Sequence, residues 1–319
     1  MFLSSVIPLT PLNPPTPDSR RFLGREAHAL FFDLVRRADP ALAQSLHEPR
    51  GDKPFTVGIL PSPVKTGEGP RVGVPSPVKT EEGLRVGVPS PAKTGEGSRV
   101  GVLRLTAFEP RLAQLLVQSV LPNLPHEIRL GSALFATGTP ITDRVAHPWA
   151  GTASAEALMS KWFASPTSSP TPLLQGEGSS DSPFPHREGG KGDRSDRVTL
   201  EFATPTAHRQ IHRNILFPLP VQMWGGWLRA WNAFAQPAFE EDLIARVEQD
   251  VAISNYALKT QVVDFGEYRA AGWIGRATFN YFSREHAMWR VLNLLADFAF
   301  FCGTGYKTTQ GMGMTRRIG

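Results

Sequence analysis

The chain has 319 residues, of which 41% are hydrophobic, and it carries a formal net charge of +5 and one cysteine, Cys302. This length predicts about two domains. One cysteine excludes a disulfide framework and a thiolate zinc site. No apolar run reaches the roughly 18 residues of a membrane-spanning helix, and the start MFLSSVIPLTPL lacks the features of a signal peptide. We therefore expect a soluble, cytoplasmic protein without a membrane partner.

Glycine and proline are concentrated in two segments, 61–101 and 166–197. These segments hold 13 of the 29 glycines and 12 of the 29 prolines. In the first, a unit of 14 residues recurs from Ser62, Ser76 and Ser90, with too few large apolar side chains to form a packed layer. We expect two long disordered insertions in loops, because each doubling of loop length costs only about 0.6 kcal/mol. The alternative is that their basic residues grip a polyanion.

Outside the insertions, hydrophobic periodicity predicts the order strand, helix, strand, strand, helix, strand, twice over. In the first half these elements are a strand at 2–12, a helix at 25–46, strands at 54–60 and 102–108, a helix from Pro110 and a strand at 127–135. In the second half they are a strand at 198–203, a helix at 221–234, strands at 257–265 and 273–282, a helix at 286–301 and a strand at 313–318. A helix at 152–163 connects the halves.

This order is typical of the split βαβ unit. We predict an α+β fold of two tandem ferredoxin-like (RRM-related) domains at 1–150 and 198–319, with a connecting helix and linker at 151–197. The first insertion then lies in a hairpin loop. Tryptophans at helical spacing, Trp224, Trp227 and Trp231, are expected in the second core, and the alternative is that they stack on bases.

Positive charge is concentrated at the C-terminal end. Residues 268–319 carry seven basic side chains against two acidic ones: Arg269, Arg276, Arg284, Arg290, Lys307, Arg316 and Arg317 against Glu285 and Asp297. Residues 198–267, by contrast, have a net charge of −3. A basic segment beside an acidic one favours a polyanion-binding face, and the alternative is an ordinary solvated surface.

Four glycines surround a lysine within this basic segment: Gly303, Gly305, Gly311 and Gly313 lie on either side of Lys307. Glycines let backbone amides approach a phosphate closely, and the lysine adds charge. The spacing is not that of a P-loop. We expect a clamp for a nucleic-acid backbone; the alternative is a loop of structural glycine turns.

A second candidate contact lies in the segment HRQIH. His208 and His212 are four residues apart, which on a helix would suit zinc, but no third ligand is near. The neighbouring Arg209 and Arg213 favour a nucleic-acid-contacting surface instead.

Three segments resemble the CRISPR-associated repeat-RNA endoribonucleases of the Cas6 type: GTGYKTTQGMGM, FATPTAHRQIHRNILFPLP and ADPALAQSLHEPRGDKPFTVGIL. The resemblance covers nearly all of the chain outside the insertions. It implies tandem ferredoxin-like domains, CRISPR repeat RNA as partner, and metal-independent cleavage without a cofactor. With RNA as the polyanion, the basic segment, the glycine-rich loop and the HRQIH segment give the predicted RNA-binding residues: Arg209, Arg213, Arg269, Arg276, Gly303, Gly305, Lys307, Gly311, Gly313, Arg316 and Arg317.

The resemblance places the catalytic histidine at His47, with the family's lysine at Lys53. Family members with a catalytic tyrosine carry it about fifteen residues before the histidine, where this sequence has Phe31 and Phe32. We expect His28 to take the third role. The alternative for His47 is a residue favoured only by its place at a helix C-terminus.

RNA supplies its own nucleophile, the ribose 2′-hydroxyl, so proton transfer by a histidine and charge stabilisation by a lysine suffice. We expect products with 5′-hydroxyl and 2′,3′-cyclic phosphate ends, used by a CRISPR interference effector complex, and a protein that is a monomer or homodimer. The rival hypotheses are a catalytically inactive CRISPR RNA-binding subunit and a protein-interaction module whose basic tail is incidental.

Overall fold

The structure is a computed structural model. It describes residues 1–13, 22–48, 52–61, 101–163, 196–211 and 213–318. The described residues leave out His212, nearly all of the second insertion and nearly all of the repeat whose units begin at Ser62, Ser76 and Ser90. The prediction that the insertions are disordered therefore falls outside the described residues.

The first half forms one antiparallel sheet with helices on one face. Its elements are β1 (Phe2–Pro11), α1 (Gly24–Ala38), α2 (Pro40–His47), β2 (Phe55–Pro61), β3 (Gly101–Ala107), α3 (Pro110–Leu115) followed by a π-helical turn (Leu116–Val120), β4 (Glu127–Leu130), β5 (Ala133–Thr137), β6 (Gly151–Ala153) and α4 (Ala155–Phe163). The strand order is β2-β3-β1-β5-β4, with β6 paired to β1. Strands β2 and β3 pair from Phe55 with Ala107 to Pro61 with Gly101, which confirms the predicted hairpin around the first insertion.

Two elements predicted as continuous are divided, each by one residue. Pro40 disfavours the helical conformation at the residue before it, and Asp39 is extended (φ −150°, ψ 94°). The Asp39 carboxylate then accepts the Leu42 N–H at 2.9 Å and begins α2. Gly131, with φ 61°, turns the predicted strand 127–135 into the β4–β5 hairpin.

The second half repeats the topology. Its elements are β7 (Arg197–Thr206), β8 (His208–Gln210), β9 (Arg213–Ile215), α5 (Pro220–Phe234), α6 (Leu243–Asp250), β10 (Val251–Asp264), β11 (Arg269–Tyr281), α7 (His286–Cys302), a 3₁₀ turn (Thr308–Gln310) and β12 (Thr315–Arg317). The sheet order β10-β11-β7-β12 is the ferredoxin-like order, since the first and third strands lie in the centre. The predicted α+β class with two ferredoxin-like units is confirmed. Helix α6 and the β8–β9 hairpin are not predicted from the sequence.

The two halves share a core. Trp224, Trp227 and Trp231 are at most 1% exposed, as predicted for core residues. They belong to a cluster that also contains Phe2 and Phe108 from the first half. The first sheet therefore packs against its own helices on one face and against the second half on the other. The predicted domain boundaries stay a prediction.

A fully buried arginine joins the halves at the end of α7. Arg104 Nε donates to Ser4 Oγ at 3.0 Å and to the Trp149 carbonyl at 3.2 Å, and its Nη2 donates to the Phe300 carbonyl. Burial lowers the pKa of Arg104 to about 9, so the side chain stays charged at neutral pH. Its positive charge faces the negative end of α7, and this contact fixes the first sheet against the second half.

Candidate active site

Two of the three predicted catalytic residues, His28 and His47, pack against one aromatic side chain, Phe32 on α1. The ring centroid of Phe32 lies 4.9 Å from that of His28, also on α1, and 5.2 Å from that of His47, the last residue of α2. Lys53, just before β2, is close enough for its charge to affect His28. The break at Pro40 makes this possible, because it folds α2 back toward α1.

His28 is half-buried, and the structure fixes one of its nitrogens. Its Nδ1 lies 2.9 Å from the carbonyl oxygen of Thr309. A carbonyl only accepts hydrogen bonds, so Nδ1 carries the proton and Nε2 is left to exchange one. Burial lowers the pKa of His28; the Thr309 bond opposes this, and the charges of His47 and Lys53 add to it. His28 is therefore mainly neutral at pH 7.

His47 faces solvent more openly than His28. His47 is exposed, and Lys53 is half-buried and donates to the Glu48 carbonyl. Of the two phenylalanines at the position of the family's tyrosine, Phe31 is buried and stacks on Phe55 at 4.2 Å. Phe32 forms the floor of the site. The arrangement can therefore present two imidazoles and one ammonium to one reacting group of a substrate.

The glycine-rich loop packs against the active site. Gly303, Gly305, Gly311 and Gly313 all have positive φ, between 71° and 87°. A Cβ atom would overlap the carbonyl oxygen of Thr304 at Gly313 and that of Ala207 at Gly305. Backbone packing thus accounts for these two glycines, and only Gly305 of the four is exposed. The prediction that these glycines contact RNA stays a prediction.

The ammonium of Lys307 is enclosed by aromatic rings. Its Nζ lies 4.4 Å from the ring centroid of Tyr268 and 5.1 Å from those of Phe265 and Tyr306. It donates to Gln310 Oε1 at 3.1 Å and to Tyr268 Oη. The predicted contact between Lys307 and RNA also stays a prediction, because these partners already engage the charge.

Four of the predicted RNA-binding arginines form ion pairs. They are Arg269 with Asp264 at 3.5 Å, Arg276 with Glu201 at 3.4 Å, Arg316 with Glu201 at 2.6 Å and Arg317 with Asp297 at 3.6 Å. Their positive charge is therefore partly neutralised, at Arg276 and Arg316 by Glu201, which is 75 and 115 positions away in the sequence.

The β8–β9 hairpin differs. Arg209 and Arg213 are exposed, and within the described ranges neither forms an ion pair; Arg209 lies 5.6 Å from the Tyr306 ring. Nearby, two exposed rings that the sequence analysis does not single out, Phe217 and Tyr256, meet edge to face at 5.6 Å. The only feature that indicates a function for these two rings is their exposure to solvent. No local sequence pattern predicts that exposure.

His208 lies on this hairpin but points inward. It is 4% exposed and packs on Trp273 at 5.2 Å. His208–Gln210 and Arg213–Ile215 form strands, so these described residues lack the helical spacing that a zinc site would use. Within the described residues no three His, Cys, Asp or Glu side chains group as metal ligands. Nor does any helix of that part of the chain have the length and apolar character to cross a membrane.

Comparison with known proteins gives matches over most of the chain. The CRISPR Cas6 N-terminal domain model matches residues 1–160, and the CRISPR-associated endoribonuclease Cas6 model matches residues 200–315. The Streptococcus thermophilus CRISPR-associated endoribonuclease Cas6 is 25% identical over 117 residues, which is 36% of this chain and 48% of that protein. The chain thus spans about half the length of this curated relative.

Solved structures share the fold. A Cas6 product complex superposes with a TM-score of 0.71 at 24% identity, and a second Cas6 product complex with 0.67 at 18%, each over 100% of both chains. Thermus thermophilus Cas6 gives 0.63 at 24%, over 100% of this chain and 98% of that one. At these identities the likeness shows the fold. Since the N-terminal domain model alone matches about half of the residues, the chain belongs to the Cas6 family of CRISPR-associated proteins.

Proposed function

We propose that this protein is an endoribonuclease that cleaves CRISPR repeat RNA into guide RNAs. The observation that carries the proposal is the packing of His28 and His47 on Phe32, with the charge of Lys53 close enough to affect His28, in a chain of the Cas6 family. The relatives' names supply the activity and the substrate class, and the cluster supplies the groups that such a reaction needs.

In the proposed mechanism, Nε2 of His28 takes the proton from the 2′-hydroxyl beside the scissile phosphate. The 2′-oxygen attacks phosphorus, the bond from phosphorus to the 5′-oxygen breaks, and His47 gives a proton to that leaving oxygen. Lys53 stabilises the negative charge that develops on the phosphorane. The products carry 2′,3′-cyclic phosphate and 5′-hydroxyl ends, and because each proton transfer is assigned to a side chain, the proposed mechanism needs no metal ion.

The low pKa of His28 supports its role as the base. A base must be unprotonated when substrate arrives, and burial keeps His28 neutral at pH 7. The hydrogen bond to Thr309 supports the same role, because it directs the free lone pair to Nε2. His47 is exposed at the end of α2, where it can reach an RNA strand that lies across the site.

We place the RNA mainly on the second half. Arg209 and Arg213 would contact phosphates, and the Tyr256–Phe217 pair would receive an unpaired base, since single-stranded RNA is read by stacking on aromatic rings. Arg269, Arg276, Arg316, Arg317 and the exposed Gly305 would line the same path with weaker contributions. The cleaved guide would pass to an interference effector complex.

Cleavage of end-labelled repeat RNA by the purified protein in EDTA tests the function. We expect cleavage by the wild-type protein and a fall of about 100-fold or more in the single-turnover rate for His47→Ala, with the Kd within about threefold. His126→Ala, which removes an exposed histidine elsewhere in the first half, is the control. Tight binding without cleavage by the wild-type protein would instead establish an inactive RNA-binding subunit. Weak RNA binding whose Kd does not change with salt concentration would establish a protein-interaction module.

A further inference from the structure

We propose that Lys307 is a positioning residue, which fixes the Thr308–Gln310 turn so that the Thr309 carbonyl holds the proton of His28 Nδ1. The effect of Lys307 on cleavage rests on the proposed function, but the hydrogen bond between His28 and Thr309 is present in the protein without RNA. The proposal competes directly with the expectation that Lys307 binds an RNA phosphate, and the two predict different measurements.

The side chain of Lys307 is already engaged within the protein. Three aromatic rings surround the ammonium within 4.4 to 5.1 Å, and such rings attract a cation through their negative faces. Two oxygen atoms, Tyr268 Oη and Gln310 Oε1, accept its hydrogen bonds. Two of the three N–H donors of the ammonium are thus engaged by its own loop and by the β10–β11 hairpin.

Lys307 also closes the turn through its backbone. Its φ of 57° is rare for a residue with a side chain, and its carbonyl accepts the N–H of Gln310 at 2.9 Å and of Met312 at 3.2 Å. The side chain therefore binds Gln310, and the backbone binds both Gln310 and Met312. Thr309 lies between these attachments, so the direction of its carbonyl depends on Lys307.

The turn is docked on the helix that carries His28. A Cβ at Gly24, the first residue of α1, would overlap the Gln310 carbonyl oxygen, and one at Gly58 of β2 would lie 2.6 Å from Gly311 Cα. The tip of the β10–β11 hairpin, which supplies Phe265 and Tyr268 to the lysine, is itself tied to α1 by the ion pair of Arg25 with Glu267 at 2.8 Å. Lys307 thus joins the hairpin tip to the turn, and both of these segments contact α1.

The chemical consequence is the choice of tautomer. A neutral imidazole has one N–H and one lone pair, and either nitrogen can carry the proton. With the Thr309 carbonyl in place, Nδ1 carries it and Nε2 is a base. Without that acceptor, Nε2 can carry the proton, and His28 can no longer take one from RNA there. The titratable groups whose charge acts on His28 from the neighbouring elements are His47 and Lys53, and the hydrogen-bond acceptor at Nδ1 is the Thr309 carbonyl.

Nitrogen-15 NMR of the imidazoles in the free protein, above the pKa of His28, tests the contact without RNA. We expect the wild-type His28 to carry its proton on Nδ1. Lys307→Met should shift the population toward the Nε2–H form, and Tyr268→Phe, which removes one acceptor but keeps the ring, should do so to a smaller extent. Lys259→Met, at an exposed lysine on β10, is the matched control. An Nε2–H tautomer in the wild-type protein, or an unchanged tautomer in Lys307→Met, would overturn the proposal.

Kinetics then separate positioning from RNA binding. For Lys307→Met we expect the single-turnover rate at saturating protein to fall about tenfold to a hundredfold, because misplaced catalytic groups cost on this order, with the Kd for RNA within about twofold. A Kd raised tenfold with an unchanged rate would show a direct phosphate contact and contradict the positioning role. If the wild-type protein does not cleave repeat RNA, the proposed function fails, while the NMR result still decides the contact.

Discussion

The arginines of the second sheet and those of the β8–β9 hairpin carry the same charge in different surroundings. Arg316 is 25% exposed and shares Glu201 with Arg276, and Arg317 is 17% exposed beside Asp297. Arg209 and Arg213 are exposed and form no ion pair with the described part of the chain. A phosphate that binds a paired arginine must compete with its carboxylate, whereas one that binds the hairpin needs only to displace water. Charge density along a sequence is therefore a poor guide to which arginines are available.

The largest expected effect comes from the hairpin. Arg209→Ala with Arg213→Ala removes two charges that no carboxylate offsets, and we expect the affinity for repeat RNA to fall about a hundredfold near physiological salt. The slope of log K against log salt should become shallower by about two, since each phosphate contact contributes about 0.9. Filter binding across a salt series measures both quantities. A loss of RNA affinity smaller than threefold would contradict the claim that the hairpin arginines are more available to RNA than the ion-paired arginines.

The buried histidine of the same hairpin, His208, should make the free energy of unfolding depend on pH. Burial lowers the pKa of His208 to about 4, so between pH 6.5 and 4 the unfolded chain binds more protons than the folded one. The stabilisation is complete above pH 6.5 and is lost as pH falls, by about 2 kcal/mol at pH 5. Urea unfolding of the wild-type protein and His208→Leu across this range measures it. The variant should show a flatter dependence; an equal slope would contradict the account.

The paired arginines should affect stability more than binding. Arg316→Ala leaves Glu201 with only its longer contact to Arg276 and removes the contact of Arg316 with the Trp149 ring at 4.8 Å. We expect the free energy of unfolding to fall by about 1–2 kcal/mol, with RNA affinity changed less than threefold. Thermal unfolding and filter binding of the same preparation decide this. The reverse pattern, a stable protein with much weaker binding, would identify Arg316 as a primary RNA contact.

The smallest effect should have the opposite sign. Glu201→Gln keeps the shape of the side chain but removes the carboxylate charge that Arg276 and Arg316 share. We expect the affinity for RNA to rise by about twofold to threefold, with a steeper salt dependence, because the freed arginines become available to phosphates. A fall in affinity would mean that the carboxylate orients these arginines toward RNA rather than competing for them.

What the sequence could predict depends on whether the determinant is local. The βαββαβ order and the buried tryptophans of α5 follow from periodicity, and the division at Asp39 could have been predicted from Pro40 by the same local rules. The positions of His47 and Lys53 came with the family resemblance, and His28 was predicted to take the third role. The structure adds that His28 and His47 both pack on Phe32.

The remaining features depend on contacts between distant residues. Nothing near Arg316 in the sequence indicates Glu201, 115 positions away, and nothing near His28 indicates Thr309, 281 positions away. The glycines of 303–313 predict a phosphate clamp because glycine permits close approach, but the close approach found at Gly305 and Gly313 is of backbone to backbone. Whether a phosphate or another part of the backbone approaches a glycine depends on the fold, and the local sequence does not determine it.

The central claim is that the RNA's own 2′-hydroxyl is the nucleophile and that the histidines on Phe32 move its protons. The most direct measurement compares, in EDTA, an all-ribose repeat RNA with one that carries a single 2′-deoxyribose at the mapped cleavage site. The account predicts efficient cleavage of the first to a 2′,3′-cyclic phosphate, and no cleavage of the second at equal affinity. Cleavage of the deoxy-substituted RNA at a comparable rate would contradict it.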